Sequence, residues 1–123
     1  MGKFQTKKTA SGGFVFNLLA GNGQVVATSE VYNKLGSMLN GIASVQKNAP
    51  VAGVEDQTVE NPEKIRNPKF EVYADKAGKI RFRLKAANGQ VIAVGEAYET
   101  KKAALAGVAS VKKNAPGAKI VEA

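Results

Sequence analysis

Residues 3–50 align on residues 69–116 without a gap, at a constant offset of 66. Of the 48 aligned pairs, 22 are identical, among them Phe4/Phe70, Gly12/Gly78, Phe16/Phe82, Leu18/Leu84, Glu30/Glu96, Tyr32/Tyr98, Leu39/Leu105 and Gly41/Gly107. The runs Asn22-Gly23-Gln24-Val25 and Lys47-Asn48-Ala49-Pro50 recur whole in the second copy. A chain with such a repeat is built from one supersecondary unit used twice, so the fold must accommodate two copies of the same element order.

Each copy carries the same periodicities. Ile80, Phe82 and Leu84 alternate with Arg81, Arg83 and Lys85, and Phe14, Phe16 and Leu18 occupy the matching places in the first copy. A period of two marks a strand with one face in the core. Asn22-Gly23 and Asn88-Gly89 then predict hairpins closed by a type I′ turn, with return strands at 25–28 and 91–94. Preceding strands are expected at 3–8 and 69–74, ended by Ser11-Gly12-Gly13 and Lys76-Ala77-Gly78. The period then becomes helical: Leu35, Met38, Leu39, Ile42 and Val45 form one predicted buried stripe, echoed by Leu105, Val108 and Val111. Asn33 and Thr100 are the expected caps, and Asn48 and Asn114, each followed by Ala-Pro, the expected stops. Short last strands are expected at 51–55 and 119–122.

A unit of about fifty residues buries too little of its surface to be comfortably stable alone. The reading is therefore a single α+β domain over 1–123, with repeat one at 1–55, a polar linker at 56–68 and repeat two at 69–123. The duplicated units share one antiparallel sheet with two helices on one face, which leaves fewer open edges. The internal pseudo-dimer makes a monomer the expected state.

Composition excludes several classes. With no cysteine and no histidine, the chain lacks disulfides, thiol chemistry, the usual zinc ligands and the commonest general base. No catalytic residue, metal site or cofactor is expected. No apolar run is long enough to cross a bilayer, and Lys3, Lys7 and Lys8 interrupt the N-terminus. The expected setting is the cytoplasm, with no membrane partner. The formal charge of +8 favours encounters with polyanions but specifies no partner.

The pattern carried by residues 14–32 with 41–49, and again by 80–98 with 107–115, resembles the YegP-like proteins, small bacterial proteins made of a domain of unknown function. Gly36, Ser37 and Gln46 in the first copy, and Ile80 and Gly95 in the second, depart from that pattern. The resemblance implies a β3-αβ unit, duplicated or dimerised into one sheet, with exchange of the C-terminal strands. It brings no activity, cofactor or catalytic residue.

Three surface features remain. Lys79, Arg81, Arg83 and Lys85, with Lys76 nearby, are a candidate nucleic-acid face in repeat two; solubility of an exposed strand explains the same alternation. Val15, Leu19 and Val26 are a candidate apolar patch for a protein partner on repeat one. Such a protein-binding or structural module is the leading reading. The Glu30/Tyr32 and Glu96/Tyr98 pairs are the starting point for a small-molecule or enzymatic site, although a buried ring with a wet hydroxyl accounts for each tyrosine.

Overall fold

A computed structural model describes residues 2–122. In it the repeated pattern becomes two copies of one element order. Repeat one forms β1 (Lys3–Lys8), β2 (Phe14–Leu19), β3 (Val25–Thr28), α1 (Leu35–Asn48) and β4 (Gly53–Asp56). Repeat two forms β5 (Lys69–Ala74), β6 (Ile80–Lys85), β7 (Val91–Val94), α2 (Lys101–Asn114) and β8 (Lys119–Glu122). All eight strands lie in one sheet, ordered β4-β5-β6-β7-β3-β2-β1-β8.

That order carries the strand exchange implied by the family resemblance. β4, the last strand of repeat one, pairs in parallel with β5, the first of repeat two, and β8 pairs in parallel with β1. The six inner strands are antiparallel as expected, while the exchanged edge strands make the sheet mixed. Each exchange is also fastened from the opposite unit's side: Gln46 of α1 donates to the carbonyl of Ala118, and Lys112 of α2 donates to that of Ala52. The two meanders meet along the antiparallel pair β3–β7, where Thr28 faces its own repeat mate Val94.

Helices α1 and α2 cover one face of this sheet. Phe4, Phe16, Leu18, Phe70, Val72, Phe82 and Leu84 pack there against Met38, Ile42, Val45, Val108 and Val111 in one core. Leu35, Leu39 and Leu105, assigned to the buried stripe from spacing, instead stay exposed. They sit on the flank of a stripe that Met38, Ile42 and Val45 already fill. Thr100 caps α2 by accepting the Ala103 N–H, but α1 begins after Lys34 and has no side-chain cap, because Asn33 lies one residue too early. Neither helix is long and apolar enough to cross a membrane.

The hairpins also differ in detail. Gly23 and Gly89 have φ of 86° and 85°, while Asn22 and Asn88 are not left-handed. Gly23 N–H closes on Ala20 O, Ala20 N–H bonds Gln24 O, and Asn22 Oδ1 accepts the Gln24 N–H. The loop is thus a three-residue turn ending in a left-handed glycine, with asparagine bonding the backbone two residues on rather than sharing the strained position. The predicted strand at 51–55 starts at Gly53, and the 56–68 segment begins only after Asp56, whose backbone still belongs to β4.

A second glycine pair is set by close approach. Tyr98 stacks on Phe82, with centroids 6.2 Å apart at 17°, and its hydroxyl lies against Gly107; Tyr32, Phe16 and Gly41 repeat the arrangement. A methyl group on Gly107 would overlap the Tyr98 hydroxyl and stand 2.9 Å from Phe82 Cε2.

Two outcomes follow from this packing. Gly107→Ala should lose about 1–3 kcal/mol in urea unfolding, the overpacking cost exceeding the better helix propensity of alanine. Cleavage within 59–63 should leave both pieces in one particle on size-exclusion chromatography with an unchanged circular dichroism spectrum. Each isolated piece should lose its structure, since its sheet ends on a strand that belongs to the other.

Candidate functional site

The β5–β6 hairpin sets the polar face of repeat two. Its register places Lys69 opposite Lys85, Glu71 opposite Arg83 and Tyr73 opposite Arg81, and β4 adds Glu55 beside Glu71. Phe70, Val72, Phe82 and Leu84 point to the helices, so these alternate residues share the opposite face.

They form a closed ion cluster. Glu55 and Glu71 are each only 3% exposed. Lys69 Nζ lies between them, 2.8 Å from Glu55 Oε1 and 3.4 Å from Glu71 Oε2. Arg83 Nε donates to Glu71 Oε1 at 2.6 Å, and Lys85 Nζ is 3.3 Å from Glu71 Oε2. The Gln57 amide donates to Glu55 Oε2 at 2.6 Å and Glu71 Oε2 at 3.1 Å, while the Ile65 N–H donates to Glu55 Oε1 at 2.9 Å. The Arg83 guanidinium stands 4.6 Å from the Tyr73 ring centroid. Beyond the cluster, Arg81 Nε holds Asp75 Oδ2 at 2.7 Å, and Lys79 pairs with Glu99.

These contacts set the acidities. The Lys69 ammonium, then the Gln57 amide and the Ile65 N–H, hold Glu55 down at about 2 from 4.5 against the opposing effect of burial. Burial pushes Glu71 up, but Arg83 and Lys85 together outweigh it and hold its carboxyl below the usual value. The Thr58 hydroxyl and Lys101 ammonium keep Asp56 at about 2 from 3.8. The Asp75 carboxyl is lowered by Arg81.

Lys79, Arg81, Arg83 and Lys85 are therefore brought together as the alternation predicts, yet each is engaged by a carboxylate. The acids were the missed half of this face. Once the turn at 75–78 is placed, hairpin register alone puts Glu71 across from Arg83; Glu55 was beyond reach because it arrives by strand exchange. Val15 and Leu19 are half-buried on the same face of repeat one, but Val26 belongs to the core. A register shift, with Leu18 opposite Ala27 and Leu19 opposite Val25, breaks the alternation that placed Val26 outside. Burial, then the charge of Glu30 or Glu96, raises the Tyr32 and Tyr98 phenols above their ordinary value. That change leaves even less phenolate at neutral pH, further from the near-neutral value that suits a general base. Among the described residues, no group of three acidic side chains is placed to hold a metal ion.

The repeats differ most in what they leave unpaired. Residues 1–54 contain five lysines, Lys3, Lys7, Lys8, Lys34 and Lys47, and one acid, Glu30. Among the described residues, none of these lysines makes an ion pair. Leu35 and Leu39, 52% and 40% exposed, stand four residues apart on one side of the first turns of α1. Val31, 59% exposed, precedes the helix, and Lys7 and Lys8 line one cleft with Leu35. Repeat two has Ala97, Lys101 and Leu105 at these positions, and Lys101 is tied to Asp56 at 2.9 Å.

A family profile described as a domain of unknown function, DUF1508, matches residues 10–56 and 75–122, once in each repeat. The chain belongs to the DUF1508 family. A UPF0339 protein of Pseudomonas aeruginosa is 41% identical to this DUF1508 chain over 116 residues, covering 94% of the chain and 92% of that relative. A UPF0339 protein of Treponema denticola is 67% identical over 54 residues, which are 44% of this chain and 93% of the relative. The solution structure of Escherichia coli YegP, a protein of unknown function, superposes with a TM-score of 0.80 at 35% identity, covering 98% of this chain and 91% of YegP. The YegP-like resemblance and the α+β fold are borne out, and the DUF1508 description assigns no activity.

The cluster gives this DUF1508 protein a defined acid response. Glu55 and Asp56 have lowered folded-state values, so their stabilisation is complete above the unfolded values of 4.5 and 3.8 and is lost as pH falls toward about 2. Thermal midpoints should drop between pH 5 and pH 2. Glu55→Gln should lower the midpoint at pH 7 and flatten that drop; an unaltered profile would show that Glu55 carries none of it.

Proposed function

We propose that this protein is a non-enzymatic, cytoplasmic protein-binding module whose contact surface is the α1 end of repeat one. The observation that carries the reading is the exposure of Leu35 and Leu39 on α1, with Val31 just before it, together with lysines that make no ion pair among the described residues. A contiguous exposed apolar patch with a polar rim is the usual mark of a protein contact. Repeat two serves as an internal reference, because the same positions there carry Ala97 and an ion-paired Lys101. This reading keeps the contact on repeat one, at Leu35 and Leu39 rather than at Val15, Leu19 and Val26.

The nucleic-acid alternative at Lys79, Arg81, Arg83 and Lys85 is less well supported, since those cations already hold Glu99, Asp75 and Glu71. Phosphate would have to compete with carboxylates that are already in place. An enzymatic reading is less well supported, since the charged group that acts on each phenol is the neighbouring Glu30 or Glu96, which raises rather than lowers its value.

A photo-crosslinking side chain placed at position 35 should form protein adducts in cells, whereas the same group at position 101 should not. Leu35→Lys should abolish capture of the same partner in pull-downs while leaving the thermal midpoint within a few degrees, because Leu35 is already largely in water. Equal labelling from both positions would remove the basis for the reading.

A further inference from the structure

At the exposed Leu35, a cleft of about 530 Å³ opens between the end of β1, the first turns of α1 and the end of β8. Met38, Phe14 and Leu35 supply its apolar wall, Lys7 and Lys8 stand at its rim, and Glu122 lies at the β8 end. This volume is in the range of pockets that enclose a ligand group. The counterpart in repeat two has Ala104, Ile80 and Lys101 in place of Met38, Phe14 and Leu35, and Ala74 in place of Lys8. There Lys101 is bound to Asp56, whose carboxylate also accepts from Thr58.

The two ends of the sheet differ in the same direction. β4 is the other edge strand, and there the following segment folds back on it: the Ile65 N–H donates to the Glu55 carboxylate and the Ile65 side chain sits against Gly53. β8 is the last strand on its side, and among the described residues no strand pairs with its outer edge. Its backbone is a template for an added extended chain. Charge at this end is predominantly positive: Lys3 stands directly opposite Lys119, and among the described residues Lys7 and Lys8 make no ion pair although Glu122 lines the same cleft.

We propose that the open edge of β8 and the adjoining cleft form one groove for an extended, acidic segment of a partner protein. The segment pairs with the outer edge of β8 and, beyond the level of Glu122, crosses the end of β1 to place a large apolar side chain between Phe14 and Leu35. Main-chain hydrogen bonds give such a contact its affinity, and the pocket and rim charges give it selectivity. The inference rests on the protein-binding reading above and gives its partner a chemistry: carboxylates for Lys7, Lys8 and Lys119, and an anchor of the size of leucine or phenylalanine for the cleft.

Random peptides displayed on phage can be selected against the full chain, and one selected peptide titrated into isotope-labelled protein. The selected sequences should carry aspartate or glutamate around a single large apolar residue. The titration should shift amides of β8 and of residues 6–8, 14 and 35–38. Affinity should fall at least about tenfold in both Leu35→Lys and Lys8→Glu, as expected for anchor and charge positions. Peptides lacking acidic residues, shifts confined to other surfaces, equal affinity in Lys8→Glu, or no selected peptide would each overturn the groove. So would sedimentation showing that a second copy of this chain fills it. In any of those cases adducts from position 35 would still uphold protein binding, whereas their absence would remove the broader reading.

Discussion

The exchange of β4 and β8 is the constraint on which the rest of this molecule depends. A three-stranded meander with one helix leaves a sheet edge that its own chain does not complete, and each unit here finishes the other. The reciprocal bonds from Gln46 and Lys112 to the carbonyls at the start of the exchanged strands hold that arrangement from the helix layer. Because both helices sit over a sheet drawn from both units, their core residues share one interior. Losing either exchanged strand would expose Phe4 or Phe70 as well as a ladder of backbone groups.

Exchange also determines where charge goes. β4 delivers Glu55 next to Glu71, creating a pair of buried carboxylates that draws in Lys69, Arg83 and Lys85. Its counterpart β8 has Val121 at the position of Glu55, and Gln5 stands where repeat two has Glu71. Repeat one thus gathers no such cluster. Identical topology has therefore produced one end whose ions satisfy one another and one end whose lysines and apolar side chains remain available.

Much of this architecture was legible in the residues. The offset of 66, the alternation in 80–85 and the Asn-Gly signals placed six strands and both helices within a residue or two. The direction of the edge strands was not readable, because a four-residue strand records its hydrogen-bonding partner nowhere in its own pattern. The turn type was missed because Asn-Gly also serves three-residue loops, where asparagine bonds the backbone. Leu39 and Leu105 misled because helical spacing was read as burial, whereas both are exposed on the helix flank. The charged face was half legible: the cations alternate visibly in β6, while their carboxylates come from β4 and β5, and only the latter could be found by counting across the hairpin.

The segment joining β4 to β5 has a kinetic and mass-action meaning. A relative such as the Treponema denticola protein is matched over 93% of its length by 54 residues of this chain. A protein of that size needing the same exchange would have to find a second molecule, and its folded fraction would depend on dilution. Tethering makes the encounter intramolecular, at an effective local concentration fixed by the tether rather than by expression level. The fused form thus folds as readily when scarce as when abundant.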